Sequence, residues 1–265
     1  MPQKIDMIVW TRNRPLQLDL LLRSAKKYFH QMGRCFVIKK STSTIEDILY
    51  DNVRRQNDWA NFITETNFRN DILSCLLKCS SLALGNSDDN VFISDVPDIE
   101  LMEHSAAFSL RLYPGISHCA PAKLAISHPM LRSLIHGKYW WDWRDADPAG
   151  CWGYPHPCDS NVYRTPYWIS LLNGLHFKNP GTMEDAMNKR RFSPYYLMQC
   201  AGSPSLINIS NNRVQDTSQC PAGGVGTDEL IDIMRSGKRI SLDTPIPPAD
   251  RCHVVLDYEY EDFSW

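Results

Sequence analysis

Three groups of residues in this chain have types and spacing suited to chemistry. The first is the acid pair Asp95 and Asp98, at and just beyond the end of the apolar run NVFISD. A carboxylate at the carboxyl end of a central strand is where an α/β enzyme holds a divalent metal and a diphosphate, and a plain turn acid before Pro97 is the alternative. The second is Glu184-Asp185 in FKNPGTMEDAM, where Thr182 is a candidate N-cap with Asp185 at N3. An acid fixed at a helix start and facing a cleft can deprotonate an acceptor hydroxyl; the alternative is that the pair only complements the helix dipole. The third is the stretch 137–168, dense in aromatics, acids, Gly and Pro, with Trp141, Asp142, Trp152, Tyr154 and Asp159 as candidate acceptor contacts. Indole and phenol faces pack on sugar C–H groups and carboxylates accept from hydroxyls, whereas the alternative is a Trp-rich satellite core under a long loop.

The elements that must position these groups follow from periodicity. Residues 5–10, IDMIVW, are a strand-length apolar run ended by TRNRP, and Pro15 stands where a helix begins. LQLDLLLRSAKKYF carries a broad apolar face at helical spacing, and RCFVI at 34–38 is a second strand, parallel to the first through a crossover. In such sheets ligands sit beyond the carboxyl ends of the strands, which places Thr11, Arg12, Asn13, Lys39 and Lys40 on the binding rim. FRNDILSCLLKCSSLAL reads as a helix, NVFISD as a strand ending in Asp95, and AAFSLRL at 106–112 as a strand containing Arg111. From 203 onward the pattern gives a strand (SLINIS), a loop with Asn211, Arg213 and Gln215, a glycine-rich turn at 223–226, a helix (DELIDIMRSG) and a final strand (CHVVLDYEY).

Composition narrows the classes. With 265 residues and 43% hydrophobic content the chain suits one sizeable α/β core. A net charge of −2 from 28 basic and 30 acidic residues gives no reason to expect nucleic acid. Nine cysteines exclude a fully paired disulfide framework, and neither Cys75/Cys79 nor Cys151/Cys158 has a second pair at zinc-finger spacing. The N-terminal apolar run is too short for a signal peptide or membrane anchor, so a cytoplasmic location and no transmembrane segment are expected. Neither GxGxxG nor GxxxxGK[ST] occurs, which disfavours Rossmann dehydrogenases and P-loop enzymes.

Taken in order, TRNRPLQL, FSLRL, WDWR, WGYP, DSNVYRT, FKNPGTMED, NNRVQD and the C-terminal CH resemble a group of bacterial and large-virus GT-A glycosyltransferases over about residues 5–260. The resemblance implies an α/β, GT-A-like domain spanning 1–265, with a mixed, mainly parallel central sheet flanked by helices. The N-terminal half would bind a nucleotide sugar (a UDP- or GDP-sugar) and the C-terminal half a glycan or other hydroxyl acceptor. It implies donor contacts from Thr11, Arg12, Asn13, Lys40 and Arg111, and a DxD-like site at Asp95 with Mn²⁺ or Mg²⁺. In place of a fuller acid cluster the sequence offers Asp95, Val96 and Pro97. His253 is the matching C-terminal metal ligand, against the alternative of a structural histidine. Glu184 takes the place of the catalytic base, with Asp185 behind it, for a reaction expected to be inverting, in surface polysaccharide or glycoprotein glycan assembly. The competing expectations are a catalytically inactive nucleotide- or glycan-binding module and a sugar nucleotidyltransferase.

Overall fold

The computed structural model describes residues 3–190, 194–212, 214, 223–246 and 250–265, so Arg213 and Gln215 of the NNRVQ segment lie outside the described residues. The N-terminal half runs β1 (Ile5–Arg12), α1 (Pro15–Tyr28), β2 (Met32–Lys40), α2 (Thr44–Gln56), β3 (Ala60–Thr64), α3 (Phe68–Leu76) and β4 (Leu82–Ser87). Then come β5 (Asn90–Phe92), β6 (Ser105–Ser109), β7 (His118–Cys119), β8 (Leu124–Ala125), β9 (Arg132–Ser133), β10 (Lys138–Asp142) and β11 (Asn161–Arg164). The remainder is α4 (Thr165–Leu172), α5 (Pro180–Lys189), β12 (Leu197–Ala201), β13 (Leu206–Ile209), α6 (Thr227–Arg235), β14 (Lys238–Ile240), β15 (His253–Val254) and β16 (Tyr260–Asp262).

Among the described residues nine strands form one mixed sheet in the order β3-β2-β1-β4-β11-β6-β12-β10-β9. Its first four strands are parallel, as βαβ crossovers require, and β11 enters antiparallel to β4. The fold is therefore the expected mixed α/β class, a large central sheet flanked by helices. Strand β1 is apolar on both faces: Ile5, Met7 and Val9 pack into the core under α1 and α2, and Ile8 and Trp10 into the core under α3 and α4. That is the continuous apolar run of a strand covered on both sides.

Local chemistry sets the helix starts. Pro15 occupies the first turn of α1, Ser43 and Glu46 form a capping box on α2, and Asn67 caps α3. The sequence pattern overextends α3. The helix ends at Leu76, and Ser80 turns the chain by donating its N–H to buried Asp6 at 2.6 Å, so that LALGNS becomes β4. Consequently NVFISD does not end a central strand: β5 stops at Phe92 and belongs to a separate three-stranded sheet, β15-β13-β5. Likewise β6 stops at Ser109, leaving Arg111 just beyond it, and only His253–Val254 of the expected final strand is paired there.

Candidate active site

The carboxyl end of β4 turns at two adjacent acids, Asp88 and Asp89, and this turn organises the site. Arg14, the N-cap residue of α1, places Nη1 2.9 Å from Asp88 and 3.1 Å from Asp89, while its Nη2 donates to the Asn212 carbonyl at 3.0 Å. Asp88 also accepts from the Arg12 backbone N–H at 3.3 Å. Asp89 accepts from Ser87 Oγ at 2.6 Å and from Asn208 Nδ2 at 2.9 Å. Burial pushes the Asp88 carboxyl up to about 6 against the attraction of Arg14, with Asp89 adding to the rise.

A third acid, Asp159, reaches the same turn from the loop that precedes β11. Asp159 accepts from Ser87 Oγ at 3.0 Å and Asn90 Nδ2 at 3.1 Å, and Arg111 Nη1 donates to it at 3.0 Å. Burial alone would raise its pKa; Arg111, His253, Asn90 and Ser87 together hold it below the ordinary carboxylate value. The loop that carries Asp159 lies against β4 because Gly85 has no side chain: a Cβ there would meet the Cys158 carbonyl and the Trp168 ring, each at 2.7 Å. Ser160, at φ +63°, then donates its N–H to the Gly85 carbonyl at 2.9 Å.

Helix α5 fastens the same loop from the other side. Its N-cap is Asn179, with Thr182 at N3, so Glu184 falls in the second turn rather than the first, and the expected Thr182 cap is corrected. Half-buried Glu184 accepts from the Cys158 N–H at 2.6 Å and from Tyr154 Oη at 3.0 Å. Burial raises its pKa; the Cys158 N–H lowers it, Asp159 raises it and Arg111 lowers it. Asn188, one turn on, exchanges bonds of 2.8 and 3.3 Å with the backbone of His156. Asp185 is exposed.

His253 pairs in register with Asn208, the residue that donates to Asp89. Its Nδ1 is buried with no partner among the described residues. Burial first, then Arg111, depresses its pKa to about 4, so the imidazole is neutral at pH 7. A neutral imidazole is the form that can offer a ring nitrogen to a metal. Among the described residues, the Oδ2 of Asp89, whose side chain is 17% exposed, is engaged by Arg14 alone. These two fit a divalent ion that takes few protein ligands and completes its shell from phosphate oxygens and water. Among the described residues no three His, Cys, Asp or Glu side chains are grouped to enclose a metal by themselves.

Several expected site residues fall elsewhere. Asp95 is exposed and pairs with His30 at 3.0 Å, and the next residue, Val96, bonds to Tyr28 at the carboxyl end of α1. Because α1 has 14 residues, at about 1.5 Å each, Asp95 stands roughly 20 Å from the rim where Arg14 meets Asp88. Asp95 therefore stands apart from the Asp88-Asp89 turn, and Asp98, three residues on, is exposed. Trp141 and Trp152 are 0% and 2% exposed and pack edge to face at 4.8 Å, so the satellite core is what the tryptophans build, not a sugar-facing surface. Asp142 caps a short 3-10 turn and pairs with Arg144.

On the rim itself, Thr11 is buried against Tyr50 Oη at 2.7 Å, Arg12 is exposed, and Asn13, at φ +56°, donates Nδ2 to Thr42 at 2.8 Å. Lys40 accepts from the Asn13 N–H through its carbonyl at 3.1 Å, and its Nζ pairs with Glu65 at 2.7 Å. Asp88 and Asp89 follow the strand that the overextended helix obscures, while Arg14 lies within the TRNRP segment at the end of β1. The signal for Asp88 and Asp89 is the break SS between two apolar runs followed by GNSDDN, two acids directly after a strand.

No protein-family model matches the chain. Over 89% of its length it is 23% identical to the bifunctional glycosyltransferase pgtA of Dictyostelium discoideum, and it spans 36% of that relative. Among solved structures it is similar to TarS of S. aureus, with a TM-score of 0.45 and 13% identity over 78% of this chain and 37% of that one. It is also similar to the mannosyltransferase PcManGT of Pyrobaculum calidifontis, solved with GDP-Man and Mn²⁺, with a TM-score of 0.45 and 9% identity over 77% and 57% of the two chains. Among the described residues no helix is long and apolar enough to cross a membrane.

Proposed function

We propose that this chain is a glycosyltransferase that moves a sugar from a UDP- or GDP-sugar to a hydroxyl acceptor by inverting transfer in glycan assembly. The N-terminal half takes the donor and the C-terminal half the acceptor. The observation that carries the reading is the continuous set Asp88-Asp89, Asp159, Arg111 and Glu184 at the carboxyl ends of β4 and its neighbours. Similarity to a glycosyltransferase along nearly the whole chain supports it.

In this reading the nucleotide lies over the rim of Thr11, Arg12 and Asn13. Its diphosphate lies toward the Asp88-Asp89 turn, where Arg12 can stabilise the charge of the departing nucleoside diphosphate while Arg111 holds Asp159. A divalent ion held by Asp89 and His253, when bound, would supply further charge to the leaving diphosphate. Glu184 accepts the proton of the attacking hydroxyl. Its raised pKa makes it a stronger base than an ordinary carboxylate, and the Tyr154 hydroxyl and Cys158 N–H fix its orientation. Buried Arg14 holds both acids of the turn in place before any substrate arrives.

The inactive-module alternative rests on the sparse acids at Asp95–Pro97, and the acid pair Asp88-Asp89 weighs against it. The deciding experiment is a donor-hydrolysis and transfer assay across UDP- and GDP-sugars, with and without Mn²⁺, on the wild type and on Asp89→Asn. Release of a nucleoside diphosphate by the wild type, lost in Asp89→Asn, supports transfer. Release of pyrophosphate from a nucleoside triphosphate and a sugar 1-phosphate, supplied in a parallel assay, would favour a nucleotidyltransferase, and no turnover with any donor would sink the reading.

A further inference from the structure

Behind the acid cluster lies a cavity of about 500 Å³, within the range of roughly 300–1,000 Å³ usual for small-molecule sites. It adjoins the site through covalent neighbours. Val91 on its wall follows Asn90, Cys252 precedes His253, and Arg111, also on the wall, donates to Asp159. Its other side is apolar, formed by Tyr28 at the end of α1, Ile207 of β13, and Leu242 and Ile246 in the segment after β14. Water gains little in such a lining, whereas an apolar body placed there is removed from water.

The polar part of the lining is cationic. Among the described residues of the lining the charged groups are Arg111 and Arg251, with no carboxylate. Arg111 is committed to Asp159, with both side chains nearly buried. Among the described residues Arg251 pairs with its sequence neighbour Asp250, and both side chains are more than 40% exposed. An exposed pair of that kind contributes little, so Arg251 can change partner at small cost.

We propose that this cavity is a binding site for an amphipathic anion: an alkyl or prenyl chain lies against Ile207, Leu242 and Ile246, and its phosphate or carboxylate head group is held by Arg251. The site is separate from the nucleotide rim and does not depend on the transferase reading.

Calorimetric titration of the whole chain with octyl phosphate, octyl glucoside and inorganic phosphate tests it. Octyl phosphate should bind one to one, at least tenfold more tightly than the neutral glucoside or the bare phosphate. Leu242→Trp and Ile246→Trp fill the cavity from half-buried positions and should each weaken octyl phosphate at least tenfold, with melting curves confirming that both variants fold. Arg251→Ala should bring octyl phosphate to the level of octyl glucoside. The proposal is overturned if octyl phosphate does not bind one to one, if both folded tryptophan variants bind it as the wild type does, if the two octyl compounds bind equally to the wild type, or if a nucleoside diphosphate displaces it.

Discussion

Arg14 and Asp88 are 74 positions apart in sequence and 2.9 Å apart in space, and both side chains are almost fully buried. The pair joins the start of α1 to the end of β4, and Arg14 extends the link to Asp89 and to the Asn212 carbonyl. Removing one partner of a buried pair leaves the other charge without compensation. Arg14→Ala should therefore lower unfolding stability by about 3–5 kcal/mol in urea titration. A loss below 1 kcal/mol would mean that Asp88 and Asp89 are held by their other donors.

Glu184→Gln preserves shape and removes the base. Turnover should fall by about 10²–10⁴-fold while nucleotide affinity changes less than twofold. In the wild type the rate should fall as pH drops through a pKa above the ordinary carboxylate range, since the base works only when deprotonated and burial raises its pKa. A Glu184→Gln enzyme with wild-type turnover would move the base elsewhere, Asp185 being the next residue to test.

Asp95→Ala should be silent. Its hydrogen-bond contact with His30 joins side chains 73% and 67% exposed, and exposed contacts of this kind contribute about 0–1 kcal/mol. Transfer activity should match the wild type, and a substantial loss would contradict the placement of the donor site at Asp88-Asp89.

Gly85→Ala inserts a methyl group into backbone and rings rather than flexible side chains: the Cys158 carbonyl and Trp168 at 2.7 Å and Trp10 at 2.9 Å. Overpacking of this kind costs about 1–3 kcal/mol, readable as a lower melting temperature. Because the displaced loop carries Asp159, activity should fall further than stability does. An alanine variant with normal melting and normal activity would show that the loop has room to shift.

His156 is fully buried, bonds Tyr167 Oη at 2.7 Å, and has its pKa pushed down to about 4 by burial. Between its ordinary value of 6.5 and about 4, the unfolded chain binds a proton that the native chain refuses, so stability falls as pH drops through that window and this contribution is flat above it. The loss approaches roughly 3 kcal/mol at the lower end. Urea midpoints from pH 7 to pH 4 should show it, and His156→Gln should remove part of the slope; an unchanged slope in that variant would assign the loss to other groups.

Much of the fold is legible because local rules suffice for it. The double-faced run IDMIVW, the Pro15 helix start and the DELIDIM amphipath each carry their own period, so the βαβ beginning and α6 follow from sequence. Glu184, Tyr154, Asp159, Arg111 and His253 are legible as residues of reactive type, and the tertiary structure gathers them into one cluster. The aromatic stretch is ambiguous in sequence, since an indole that packs in a core and one that faces a sugar have the same composition, and only burial separates them.

What the sequence by itself determined is the α/β class, the polar loop that follows β1 and the presence of residues of reactive type. Only the tertiary structure decided which acids meet beside that loop. The end of α3 depends on Ser80 meeting Asp6, 74 residues earlier, and no local pattern records that bond. Once that contact stops the helix, LALGNS extends as β4 and delivers Asp88 and Asp89 to Arg14, while Asp95 is carried to the opposite end of α1. Periodicity reports how a segment packs on its own axis; where two acids end up relative to a distant arginine is set by long-range contacts.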